Sequence, residues 1–106
     1  LCDVLDTFVS MFKKIGSGKS ADTYGLISYF QREKKNSEVL FDIMLIMLWD
    51  TMLKINSDLA IDGVSPQKAV RITEKVENTR NSFSFNANYD LAVSEMLLDI
   101  LEEING

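Results

Sequence analysis

At 106 residues, 46% of them hydrophobic and 25% charged, the chain is long enough to bury one core without disulfide staples and reads as a single domain. It has no histidine, which removes the usual general base near neutral pH, nucleophile–His pairs and imidazole metal ligands, so ordinary enzyme chemistry is not expected and no catalytic, cofactor or metal residue is assigned. The formal net charge is −5 and no Lys or Arg follows Arg80, which is not the electrostatic footprint of a nucleic-acid binder.

The lone Cys2 cannot make an internal disulfide, and such usage fits a reducing compartment, so a cytoplasmic protein is expected. No signal peptide is visible. The longest apolar run, Ile43 to Trp49, is bounded by Asp42 and Asp50 and is too short to span a bilayer. The chain opens at Leu1 rather than at an initiator Met, which suggests a fragment of a longer protein.

Val4, Leu5, Phe8, Val9, Phe12 and Ile15 recur at spacings of three and four, predicting a first helix from Leu1 to Ile15. Gly16-Ser17-Gly18 breaks it. Ser20 is placed to cap a second helix running to about Lys35 with Tyr24, Ile27 and Phe30 on one face, and Asn36-Ser37 makes a short turn and a new cap. The third helix, Glu38 to about Ile55, is apolar almost all round, which predicts a buried central helix. Asn56 to Val64 is irregular. Ser65-Pro66 is a strong helix start, with Ser as cap and Pro at the first helical position. Ala69, Val70, Ile72, Val76 and Arg80 then continue a helical pattern towards Phe83. With no strand alternation and no repeat, the fold class is all-α, a helical bundle of about five helices.

The last helix organises the rest. Asn88 is placed to cap it and Asp90 suits its positive end, so it begins near Tyr89. At about 100° per residue Tyr89, Val93, Met96, Leu97, Ile100 and Ile104 cluster, with Leu101 beside them and Leu91 and Leu98 further round. Such a helix needs neighbours on two sides. It is either the central helix of the bundle or a helix with one core face and one seam for another subunit. On the second view Leu91, Glu95, Leu98 and Glu102 form the partner interface.

Gly16-Ser17-Gly18-Lys19-Ser20 invites a phosphate-loop reading, but the required earlier glycine is Lys13 and no strand leads into the loop. A flexible turn is expected, with no nucleotide bound. The acidic pairs Asp58 and Asp62, or Glu102 and Glu103, read as solvated charge rather than cation ligands. Met44, Met47, Met52 and Met96 suit either a core or an adaptable groove, and core filler is the expectation. Lys68, Arg71, Lys75 and Arg80 make the fourth helix basic, with the acidic last helix as its expected partner.

Several of these residues together resemble the C-terminal collar domains of bacterial sliding-clamp loader subunits of DNA polymerase III, most closely those of the delta-prime kind. Arg80 and Phe83 resemble the end of that family's penultimate helix. Asn86-Ala87-Asn88 is similar to its Asn-x-Asn connection, and Leu91-Ala92-Val93 with Leu97-Leu98 and Leu101 to its Leu-rich last helix. Trp49-Asp50 with Met52-Leu53 is similar to its Trp-x-Arg-Asp-Leu-Leu segment, without the Arg, and Ser94 stands where the family usually has Glu. The resemblance covers about the second half of the chain. It implies a helical oligomerisation domain that does no chemistry and packs with the C-terminal domains of other clamp-loader subunits into a five-membered collar. An ATPase-type domain would precede Leu1, within a complex acting in DNA replication. Trp49, Asp50, Arg80, Asn86 and Asn88 are its family-motif residues. No direct nucleic-acid contact, membrane or small-molecule substrate is implied. The rival expectation is a freestanding helical adaptor that binds a partner's amphipathic helix.

Overall fold

Stretches with apolar residues three and four apart form five helices among the described residues of the computed structural model, which are 2–54, 58–82 and 88–106: α1 (Cys2–Lys13), α2 (Ser20–Arg32), α3 (Ser37–Leu53), α4 (Pro66–Ser82) and α5 (Tyr89–Asn105). There is no strand among these residues, and the protein is the all-α bundle its periodicity predicts. The predicted segments Asn56 and its neighbours, Phe83 and the connection Asn86-Ala87 fall partly or wholly outside the described residues.

Two starts follow the predicted chemistry. The Ser65 hydroxyl accepts from the Lys68 amide at 3.2 Å ahead of Pro66, and Asn88 Oδ1 accepts from the Leu91 amide at 3.0 Å, each satisfying an orphan donor of a first turn. Two others differ. Ser20 is the first residue of α2 rather than its cap, and extended Lys19 takes the cap position without a side-chain bond. The nearby Ser17 hydroxyl accepts from the Lys19 amide at 3.4 Å and donates to Asp22 at 3.0 Å, so an acid in the first turn occupies that helix end. α2 stops at Arg32, short of Lys35, and a 3₁₀ turn over Lys34–Asn36 leads into α3. Asn36 does not cap α3 with its side chain, because its amide is turned back to donate to Glu33 at 3.0 Å.

The helices close a ring in the order α1, α2, α5, α4, α3, with α3 again beside α1. Cross-links fix the directions. Tyr89 donates to the Phe30 carbonyl at 3.2 Å at one end of the α2–α5 pair, and Asn105 donates to the Gly18 carbonyl at 3.2 Å at the other, so the two run antiparallel. Arg71 with Glu103 does the same for α4 and α5, and Arg80 with Glu38 and Asp42 for α4 and α3. The interior holds one contiguous cluster from all five helices. Phe8 sits edge-on to Phe30 at 5.5 Å, and Phe30 to Phe41 at 5.7 Å, tying α1, α2 and α3 together. The radius of gyration is 12.6 Å, close to the roughly 13 Å of a compact 100-residue domain.

The third helix is not a buried central helix. Its Leu40, Phe41, Met44, Met47 and Leu48 are buried, but Ile46, Trp49 and Leu53 are more than half exposed. α3 is a wall of the ring, covered by α4 and α1 on its inner sides, so an all-apolar helix here presents one uncovered face. No described helix is long and apolar enough to cross a membrane.

Candidate interaction site

The chemistry-bearing candidates gather at one end of the ring, and the apolar candidates lie on its wall. At the end where α1 and α3 finish and α2 and α4 begin, Gly16 packs against the 58–64 loop so closely that a Cβ would fall inside the Asp62 carbonyl oxygen. Gly18 and Gly63 both hold φ near +75°, a conformation natural to glycine. The loop is anchored by Thr51, whose hydroxyl donates to the Met47 carbonyl at 2.7 Å and accepts from the Ile61 amide at 2.9 Å. Asp62 donates its amide to the Lys13 carbonyl and Lys13 reaches the Asp58 carbonyl. A shallow groove of about 440 Å³ lies over this junction, with Lys14 and Lys19 facing Asp22 and Asp62. The Gly16–Ser20 segment is thus a packing joint between two loops, and the Gly18 carbonyl is taken by Asn105. The segment follows a helix and a 3₁₀ turn, not the strand that leads into a phosphate loop. Among the described residues no group of three His, Cys, Asp or Glu is placed to hold a metal ion.

On the wall, α5 separates into two faces. Val93, Met96, Leu97 and Ile100 are buried, while Tyr89, Leu101 and Ile104 are half-buried. On the outer side Leu91 is 59% exposed and Leu98 40%, and Glu95, Asp99 and Glu102 are exposed beside them. The four residues assigned to a partner interface, Leu91, Glu95, Leu98 and Glu102, therefore share one uncovered stripe at spacings of four, three and four. At about 100° per residue they span a narrow arc. Two acids off the stripe are engaged: Glu103 holds Arg71 at 2.9 Å and Asp90 holds Lys34 at 3.1 Å, while Lys68 donates to the Ile104 carbonyl at 2.7 Å. Glu95, Asp99 and Glu102 are in no ion pair among the described residues.

The basic fourth helix is shared between two partners rather than given to α5 alone. Arg71 and Lys68 reach α5, but Arg80 bridges Glu38 and, at 2.8 Å, Asp42 of α3. These two carboxylates raise the Arg80 pKa further above its ordinary value, the hydrogen bond to Glu38 contributing most. Arg80 thus sits at the N-terminal half of α3, whereas Trp49 and Asp50 lie towards its C-terminal end. The family-motif residues are not brought to one place: Trp49 is 60% exposed on the α3 wall, Asn88 caps α5, and Asn86 lies outside the described residues.

Ile46 and Leu53, which with Trp49 make the second uncovered face, were not singled out from the sequence. Their signal was the acids inside the apolar run. Glu38, Asp42 and Asp50 mark the wet side of α3, and Ile46, Trp49 and Leu53 fall within the arc those acids span at about 100° per residue. Met44, Met47 and Met96 are buried in the core, as expected of filler, and Met52 is partly buried against it. No protein-family model, no curated protein and no solved structure matches the chain.

Proposed function

We propose that the chain is a non-catalytic oligomerisation domain, the C-terminal collar domain of a cytoplasmic sliding-clamp loader subunit of the delta-prime kind, belonging to a longer chain and serving DNA replication. It packs side by side with the C-terminal domains of other clamp-loader subunits in a five-membered collar, and touches neither DNA, membrane nor a small molecule. The observation that carries this reading is the outer stripe of α5: Leu91 and Leu98 stand exposed on a helix whose opposite side is core. An exposed, ordered apolar stripe on a rigid helix is the raw material of a helix-to-helix seam. The resemblance of the second half of the chain supplies the identity of the neighbours. An adaptor with a methionine-lined groove is the weaker reading, since Met44, Met47 and Met96 are core residues.

The test is co-purification with C-terminal domains of candidate clamp-loader subunits. A stable complex that Leu98→Asp weakens at least about tenfold, roughly 1.4 kcal/mol, without loss of the fold is the expected result. Capture of no such domain at micromolar concentration overturns the proposal. In the same reading calorimetric titration with ATP or GTP gives no dissociation constant below about 100 μM, near −5.5 kcal/mol.

A further inference from the structure

The α5 stripe also carries the chemistry of its occupant. Leu91 and Leu98 are seven residues apart, two helical turns or about 10.5 Å along the axis. That spacing matches a second helix packed nearly parallel or antiparallel with its own apolar residues repeated every seven. Between and beside the leucines stand Glu95, Asp99 and Glu102, all exposed, and none is neutralised by an ion pair among the described residues. Three cations that reach α5 are engaged elsewhere: Arg71 with Glu103, Lys34 with Asp90, and Lys68 with the Ile104 carbonyl. Covering the stripe with a neutral apolar helix would strip water from three carboxylates without giving them partners. A second copy of this chain docked through the same stripe would set the same three carboxylates against their own kind. The α3 face does not discriminate in this way, because Glu38 and Asp42 share Arg80 and Lys54 follows Leu53.

We infer that the α5 seam receives a basic amphipathic helix, one with apolar anchors a heptad apart flanked by Lys or Arg that face Glu95, Asp99 and Glu102. The inference rests on the reading of α5 as an intersubunit seam and adds the sign of the partner. Complementary charge at the rim selects the partner and speeds encounter, while the leucines hold it.

Two synthetic helical peptides with the same heptad leucines test this, one carrying Lys and the other Glu at the flanking positions, titrated against the full chain. The Lys peptide is expected to bind at least about tenfold tighter than the Glu peptide, and to lose most of that advantage between about 0.05 M and 0.5 M salt. Leu98→Ser, which leaves the charge unchanged, should abolish binding. The double variant Glu95→Lys with Glu102→Lys should reverse the preference, and thermal melts establish that both variants are folded. Equal binding of the two peptides, a preference that survives the charge reversal, or Lys-peptide binding indifferent to Leu98→Ser each overturns the inference. If any of these occurs while clamp-loader C-terminal domains still bind in a Leu98-dependent way, the collar reading stands and only the sign of its partner is wrong. If neither peptides nor domains bind, both fall.

Discussion

Single side chains hold the joints of this ring, and Thr51 is the clearest case. Its hydroxyl is buried and serves two groups, the Met47 carbonyl and the Ile61 amide ten residues on. Valine keeps the shape but abandons the Ile61 N–H, and an unsatisfied buried donor costs about 1–3 kcal/mol. Thr51→Val is therefore expected to lower stability by about that amount in urea titration. Thr73→Val is the control, expected to stay within about 0.5 kcal/mol, because the Thr73 hydroxyl only donates back to the Ala69 carbonyl of its own helix. Tyr89 gives a pH signature. Burial, with a smaller push from Asp90 and a pull down from Ser37, raises its pKa to about 12. An unfolded tyrosine titrates near 10, so between pH 10 and about 12 the folded state holds more protons and stability falls as pH rises. Tyr89→Phe should flatten that fall when urea midpoints are followed across the range. Some slope should remain, because burial also raises Tyr29. A slope unchanged by the substitution would mean that the Tyr89 hydroxyl is not shielded. Caps were legible at this scale where the residue acts alone, as at Asn88 and Ser65. Ser20 does not act as the cap because Ser17, three residues before it, and Asp22, two residues after it, already occupy the helix start.

Among the helices, α5 has the sharpest division. Ile100 is buried, and replacing it with Ala costs about 2–5 kcal/mol through lost transfer energy and an unfilled cavity. Leu98 is 40% exposed beside Glu95 and Glu102. An aspartate there stays hydrated, and its destabilisation should be well below that of Ile100→Ala. Thermal melts of the two variants decide: equal loss would place Leu98 inside the domain and remove the seam. This division was readable because α5 carries leucines and acids in separable arcs. α3 defeated the same reading. Apolar residues on all its sides leave hydrophobicity alone without a direction, and only the three acids Glu38, Asp42 and Asp50 mark its wet side. What places it is its company: Arg80 ties its outer N-terminal half to α4 through Glu38 and Asp42, and aromatic packing through Phe41 ties its inner side to α2. The Arg80 contacts join residues about 40 positions apart, a separation that no window along the chain registers. The glycine joint was half legible. The turn after a helix was readable from Gly16-Ser17-Gly18, but its fit against Asp62 depends on how the distant 58–64 loop folds back.

As a whole, the described residues form a ring of helices with uncovered apolar residues on α3 and on α5, and the chain carries a net charge of −5. Apolar faces favour association and like charge opposes it, so the balance depends on screening. At low ionic strength the Debye length is about 30 Å at 0.01 M and repulsion between copies acts in full; at 1 M it shrinks to about 3 Å and the apolar contacts act alone. The isolated chain should therefore sediment as a monomer at micromolar concentration in low salt and associate more, not less, as salt rises. Trp49 supplies the largest exposed apolar side chain. Trp49→Gln should weaken the salt-induced association while shifting folding stability by no more than about 0.5 kcal/mol, since the site is not core. Pairing with a basic partner helix on α5 must show the opposite sign, tight in low salt and loosened by it. Sedimentation across a salt series, with and without the Lys-bearing peptide, measures both slopes in one experiment. A tight homodimer in low salt that loosens as salt is added would mean that attractive charge contacts join the copies, and the picture of acidic faces keeping like domains apart would have to be abandoned.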